Sequence, residues 1–264
     1  MLITLTTDFG AVDPFVGIMK GVIAGIHPEA QVVDISHGVP PHDLMAGALI
    51  LRHSVSYFPR GTIHVVVVDP GVGSNRRPLL IQCDGTYFIG PDNGVLSLAL
   101  KGRNPSRIIH LSNSAYHLQP TSSTFHGRDI FAPAAAYLSW GVAPDSLGEA
   151  DADFVQLEWP EPLQTAGKIT GKIIYIDGFG NLFTNIRDRD LQGLPKDKIS
   201  ISLEKHKVQG LVSNYAAGSG EKLAAVINSW GLLEIALYKD SAQRHTGAKV
   251  GDTVHLRIVS VKSR

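Results

Sequence analysis

His64-Val65-Val66-Val67-Val68-Asp69 runs straight into Pro70-Gly71-Val72-Gly73-Ser74-Asn75-Arg76-Arg77. Four successive valines leave no polar face, so the segment reads as a strand buried on both sides, Thr62 to Val68, near the centre of a parallel sheet. Asp69 closes it. An acid at the carboxyl end of a central strand, followed at once by glycine-rich backbone, is where open α/β sheets place their ligands.

The flanking sequence supports such a sheet. Residues 2–6 form a short apolar strand before Asp8. Asp13-Pro14 opens a helix, with a capping acid and proline at the first helical position; Phe15, Ile18, Met19, Val22 and Ile26 follow at helical spacing. Gln31 to Ile35 is a second strand. His42-Asp43 opens a second helix carrying Leu44, Ala48, Leu51 and Val55. Leu79 to Cys83 and Thr86 to Ile89 flank Asp84-Gly85, a two-residue hairpin signal. A short helix from Asn93 to Leu100, a strand from Arg107 to Leu111 and a helix from Asp129 to Trp140 complete the run. Strands alternating with helices predict a mostly parallel sheet covered on both faces.

The pattern changes after about residue 145. Ala150 to Gln164 is acidic and proline-containing, and reads as a linker. From Gly167 onward helical period is nearly absent and strands dominate: Lys168 to Ile176, Leu182 to Ile186, Lys198 to Leu203, Leu223 to Asn228, Leu232 to Tyr238 and Thr253 to Val259. The expectation is an α/β protein: an N-terminal mostly parallel α/β sandwich at 1–150, a linker at 151–166, and a smaller C-terminal all-β barrel at 167–264.

Charge and composition exclude several roles. Lys plus Arg and Asp plus Glu both number 24, and no basic block occurs, so no nucleic-acid partner is expected. Cys83 is the only cysteine, which excludes a disulfide within the chain and a cysteine-based zinc site. No histidine or aspartate spacing resembles a set of metal ligands, so no metal and no other cofactor is expected. Met1 to Asp8 lacks a charged n-region and a long apolar h-region, and no apolar run nears the roughly 20 residues that cross a bilayer. The expectation is a soluble cytoplasmic protein without a membrane partner.

Four phrases carry candidate chemistry. Asp69 either caps the turn after its strand or works beside Gly71 and Gly73, whose backbone N–H groups can turn toward a ligand, with Arg76 folding back over the turn. His126 lies in Ser123-Thr124-Phe125-His126-Gly127, on a loop before a helix, where Arg128 and Asp129 pair locally and cap that helix. Asp8 is either a loop cap or a carboxylate for a ribose diol, at the same sheet edge as Asp69 if their strands are parallel. Asp177-Gly178-Phe179-Gly180-Asn181 is either a plain β-turn or a purine platform, with Phe179 stacking and Asn181 bonding the base edge. Asn228-Ser229-Trp230-Gly231, with Glu234 nearby, is a second polar turn able to face the same ligand. His37 and His42 shape a proline-rich loop.

Together with Thr7-Asp8-Phe9-Gly10, Asp34-Ile35-Ser36-His37 and Gly90-Pro91-Asp92-Asn93-Gly94, these phrases resemble the S-adenosyl-L-methionine hydroxide adenosyltransferases, relatives of the fluorinase and chlorinase enzymes. The resemblance spans both halves of the chain. It implies hydrolysis of S-adenosyl-L-methionine to adenosine and L-methionine by a homotrimer with the ligand between neighbouring subunits. It places the catalytic set on Asp69, Arg76 and His126. Asp8 is then the ribose ligand, Asp177 the methionine ligand, Phe179 and Asn181 the adenine contacts, and Ser229 a contact for the methionine end; Glu234, near that turn, is a further candidate substrate residue from its position alone. Trp230 stands where the halogenases carry an arginine.

The chemistry fits these residue types. Displacement at C5′ releases a neutral thioether, so the leaving group needs no acid; the nucleophile is the difficulty. An aspartate pKa of ~4 against ~15.7 for water leaves ~12 units, or on the order of 16 kcal/mol for full deprotonation, so Asp69 cannot be a strong base. Arg76 and His126 are expected to stabilise developing hydroxide while Asp69 orients it and accepts a proton late. A halide would be repelled by Asp69, which ranks a 5′-halo-5′-deoxyadenosine synthase second. A sensor of adenosine or S-adenosyl-L-methionine would need Asp8, Phe179 and Asn181 but neither Arg76 nor His126.

Overall fold

The computed structural model describes residues 1–218 and 222–258, which divide into two compact units, Met1–Glu158 and Trp159–Arg264. The first unit contains β1 (Leu2–Thr7), α1 (Phe15–Ile26), β2 (Gln31–Ser36), α2 (Leu44–Ser54), β3 (Ile63–Val67), β4 (Pro78–Cys83), β5 (Thr86–Pro91), α3 (Ser97–Leu100), β6 (Arg107–His110), α4 (Ala132–Ser139) and β7 (Glu149–Ala150). Its sheet has the order β2-β1-β3-β5-β4-β6-β7. The neighbours β2, β1, β3 and β5 run parallel; beyond β5 the pairings are antiparallel.

The valine run behaves as its composition requires. Val65 to Val68 are at most 2 % exposed. Burying each such side chain contributes about 1.5–3 kcal/mol relative to leaving it in water. Val65 and Val67 face the core cluster with Ile3, Leu5, Met19 and Ile23, where α1 and α4 pack. Val68 takes the opposite face: a Cβ on Gly47 of α2 would sit 3.0 Å from it, so α2 lies close on that side. Thr7 of β1 is in register with Val67 of β3. Asp8 and Asp69 therefore leave adjacent parallel strands at one edge, as the sequence requires.

Asp13 does not cap α1. The N-cap is Pro14, no side chain caps the helix, and Asp13 lies one residue too early to do so. Residues 151–158, expected within a linker, belong to the first unit. Arg77 holds them: its Nη1 donates to Asp151 at 2.6 Å, and its Nη2 donates to Asp153 at 2.8 Å and to Asp92 at 2.6 Å. Asp92 also accepts from the backbone of Val155 at 2.7 Å. Opposite charges explain why an acidic run lies down here rather than spanning solvent.

The second unit comprises β8 (Leu163–Thr165), β9 (Lys168–Ile176), β10 (Leu182–Arg187), β11 (Ile199–Leu203), β12 (His206–Gln209), β13 (Leu223–Ile227), β14 (Leu232–Leu237), α5 (Ala242–Thr246) and β15 (Thr253–Ile258). The order is β12-β11-β15-β9-β10-β14-β13, with β8 on β9; the end strands β12 and β13 contact each other, giving a nearly closed barrel. Inward positions such as Ile169, Ile173, Ile201, Leu203, Val254 and Leu256 alternate with outward ones, the period of a half-buried strand. The strand expected to reach Val259 is described to Ile258; Val259 lies outside the described residues.

Candidate active site

Two loops at the carboxyl edge of the first sheet build one cluster. The loop after β3 carries Asp69 and Arg76; the loop before α4 carries His126. They meet because Gly73 adopts φ +77 and because a Cβ there would collide with the Ser123 carbonyl. Arg76 Nε donates to both Asp69 oxygens at 3.0 Å, and Nη2 donates to Asp69 Oδ2 at 2.5 Å. The same Nη2 lies 2.6 Å from His126 Nδ1. A guanidinium has no acceptor, so Nδ1 accepts and the proton of the neutral ring sits on Nε2. Burial pushes the His126 pKa below its ordinary value, and the Arg76 charge adds to that shift. Cation–ring contact with Phe131, 5.5 Å from the centroid, supports Arg76 from the core side.

Asp69 and His126 line a cavity of about 440 Å³; Arg76 is not on its wall. The arginine side chain is 8 % exposed, Nη1 is buried without a hydrogen bond, and its other nitrogens are committed to Asp69 and His126. It therefore orients the two groups that face the cavity and supplies positive charge behind them. Asp8 shares the cavity and accepts from the backbone N–H of His42 at 2.9 Å. Asp13 lines it too, a role hidden by its helix-capping context. Phe9, Phe15 and Phe125 form an edge-to-face and tilted cluster with centroids 5.3–5.8 Å apart, and all three line the same space.

Neighbouring motifs brace this edge. His37 Nδ1 lies 2.9 Å from Thr7 Oγ1, and its carbonyl accepts from Gly10 N–H at 2.8 Å. His37 thus fixes the backbone on both sides of Asp8. Arg128 pairs with Asp129 at 2.6 Å as expected. Asp129 caps no helix, however: fully buried, it accepts from Ser122 N–H at 2.8 Å and closes the loop that delivers His126.

The second unit has its own pocket, about 630 Å³, lined by Asp177, Phe179, Asn181, Tyr215 and the Leu237–Asp240 turn. Asp177 organises the turn: Oδ1 accepts from Phe179 N–H at 3.0 Å and Asn181 N–H at 2.9 Å, and Oδ2 accepts from Asn181 Nδ2 at 3.0 Å. Phe179 is left 81 % exposed. Tyr215 is a second aromatic on this wall; its short polar context gave no periodic signal. Ser229 is exposed on its turn and lines neither pocket. Glu234 is fully buried and does not line the pocket. Trp230 stacks on Tyr175 at 5.4 Å and meets Phe183 edge-on at 5.0 Å. Among the described residues, no group of three or more metal-ligating side chains occurs.

A mixed α/β domain with a charged cluster at its strand ends, followed by a nearly closed barrel with an aromatic pocket, makes a two-domain architecture with a candidate pocket in each unit. Residues 3–148 match the SAM hydroxide adenosyltransferase N-terminal domain and residues 171–255 its C-terminal domain, and the chain belongs to this family. It is 34% identical to an (R)-S-adenosyl-L-methionine hydrolase of Thermus thermophilus over 95% of this chain and 97% of that one. A fluorinase of Nocardia brasiliensis is 27% identical, with 97% of both chains covered. A crystal structure of an uncharacterised conserved protein from Thermotoga maritima superposes with a TM-score of 0.89 at 31% identity, covering 97% of this chain and all of that one.

Proposed function

We infer that the protein hydrolyses S-adenosyl-L-methionine to adenosine and L-methionine by attack of water at C5′. The observation that carries this reading is the Asp69–Arg76–His126 cluster. It presents an acceptor and an Nε2–H donor to one cavity, from a guanidinium that holds both. A water bonded to Asp69 and His126 is oriented without being deprotonated beforehand. Its proton passes to Asp69 as the C–O bond forms and the C–S bond breaks, and the sulfonium leaves as a neutral thioether. Arg76 favours the developing negative charge through space.

Charge supports water over halide. The cavity presents three carboxylates, Asp8, Asp13 and Asp69, which favour a sulfonium cation. A bare anion about 4 Å from one carboxylate is raised by ~4 kcal/mol at an effective dielectric of about 20. We assign Asp8 to the ribose diol, Phe179 and Asn181 to adenine, and Asp177 and Ser229 to the methionine end. The free Nδ2–H and Oδ1 capacity of Asn181 beyond its bond to Asp177 suits a base edge. The proposal extends to the (R) sulfonium epimer, for which the Thermus relative is named. It also extends to a homotrimer with ligand held between neighbouring subunits, and to the cytoplasm, in keeping with Cys83 as a free thiol.

Incubation with S-adenosyl-L-methionine in ¹⁸O-water tests the reaction. Adenosine labelled at its 5′-oxygen and unlabelled methionine are expected. Intact substrate would leave only a binding role, and 5′-halo-5′-deoxyadenosine in added chloride or fluoride would establish the halogenase. Separated sulfonium epimers and light scattering test the two extensions.

A further inference from the structure

Glu234 sits within β14, in register with Val226 of β13 and Phe183 of β10. Its carboxyl is fully buried, a costly position unless its oxygens are bonded. Oε2 accepts from Asn228 Nδ2 at 2.9 Å. Oε1 has no hydrogen bond of ordinary geometry among the described residues, although the Tyr215 hydroxyl is near enough to interact with the carboxyl. Asn228 in turn holds a tight turn: its Oδ1 accepts from Trp230 N–H at 3.0 Å and Leu232 N–H at 3.1 Å, and its carbonyl accepts from Gly231 N–H at 2.9 Å.

A carboxamide has a donor end and an acceptor end, and either can face a turn. Here both ends are engaged: Nδ2 donates to Glu234 while Oδ1 accepts from the two backbone N–H groups. An apolar residue at 234 would leave Nδ2 without its buried acceptor and the carboxamide held from the Oδ1 side alone.

We propose that Glu234 is a positioning residue: it sets the orientation of the Asn228 carboxamide, and through it the Asn228–Gly231 turn that carries Ser229, without touching the ligand. What the lock requires of residue 234 is an acceptor, not a charge. Burial pushes the Glu234 acid above its usual range, and the Asp177 charge acts in the same direction, against the Asn228 bond and the nearby Tyr215 hydroxyl. The same cluster reaches the aromatic wall of the pocket, because burial and then Glu234 push the Tyr215 hydroxyl up to about 12. The consequence for substrate rests on the function proposed above, in which Ser229 meets the methionine end.

The full chain labelled with 5-fluorotryptophan tests the lock without relying on catalysis. Its three tryptophans, Trp140, Trp159 and Trp230, give three ¹⁹F resonances, of which only Trp230 lies in the turn. Glu234→Gln keeps an acceptor: the Trp230 resonance, kcat and KM are expected to stay within experimental spread or about threefold. Glu234→Ala is expected to shift or broaden Trp230 alone. It should also raise KM about tenfold with kcat little changed, the scale of one lost buried hydrogen bond. Asn228→Ala should do the same, and the double variant should be no worse than either single one. If Glu234→Ala fails to fold, Asn228→Ala, at a partly exposed position, carries the comparison. The proposal is overturned if Glu234→Gln is as damaging as Glu234→Ala, or if Asn228→Ala leaves Trp230 unmoved. Should the wild-type chain return S-adenosyl-L-methionine intact while the Trp230 pattern holds, the lock stands and the function assignment alone fails.

Discussion

The two pockets are built on opposite principles. In the first unit, side chains from separate loops are tied by a guanidinium: Asp69 and Arg76 are 6 % and 8 % exposed, and His126 is bonded to the same nitrogen. In the second, a single turn bonds to itself through Asp177 and leaves Phe179 exposed. The first arrangement fixes three side chains in mutual geometry; the second leaves an aromatic ring exposed. Under the proposed function the first unit carries the reaction and the ribose contact and the second the base contact, and substitutions should separate kcat from KM accordingly.

The largest expected effect tests that division directly. Asp69→Ala removes the acceptor and leaves the Arg76 charge buried without its partner; kcat should fall by about 10³, while adenosine affinity measured calorimetrically stays within about threefold. A proportionate loss of adenosine binding would merge the two regions into one. Acid should also distinguish the units. His64 in β3 is fully buried, and burial lowers its pKa from 6.5 to about 4. The unfolded chain therefore binds this proton at higher pH than the folded one, so stability falls as pH drops from about 6.5 toward 4. A difference of about 2.5 units at ~1.36 kcal/mol each is roughly 3 kcal/mol, all in the first unit. Residue-resolved hydrogen exchange at pH 7 and pH 5 should show the first unit opening more readily while β9–β15 change less. Uniform loss in both would refute that assignment.

His126→Ala should lower kcat by about 10², less than Asp69→Ala, because Arg76 retains its carboxylate partner. If the rate stays at the wild-type level, His126 holds no water. The smallest effect is expected for Phe179→Ala, which removes one stacking surface. KM should rise about tenfold, from roughly 1–3 kcal/mol of base stacking, at unchanged kcat. A fall in kcat alone would move Phe179 from recognition into the reaction.

Much of this was legible in the chain. The valine run marked the central strand because it lacks a polar face, and the phrases around Asp8, Asp69 and His126 fell on loops, where a capping role and a ligand contact both remained open. Short elements escaped: β7, β8, β12 and α5 span five residues or fewer and carry too little period to read. Asp13 was misread because an acid before proline is the ordinary mark of a helix start, and only the chain path shows it turned into the cavity. Arg76 was expected to stabilise developing hydroxide; that it stands off the cavity wall, with a bidentate bond to Asp69 and a nitrogen shared with His126, was not legible from spacing. Glu234 was singled out for its nearness in sequence to the Asn228–Gly231 turn; that it is fully buried on the face of β14 opposite the core positions Leu233, Ile235 and Leu237 is a tertiary outcome.

Local pattern determined the layered first half and the stranded second half and picked out the candidate phrases, because periodicity and turn chemistry act over a few neighbouring residues. Which groups face the cavity, which stand behind, and how a carboxamide is oriented were decided by tertiary contact. Those outcomes depend on partners 7, 50 and 6 positions away, at Asp69–Arg76, Arg76–His126 and Asn228–Glu234, where only the folded path brings donor and acceptor within bonding distance.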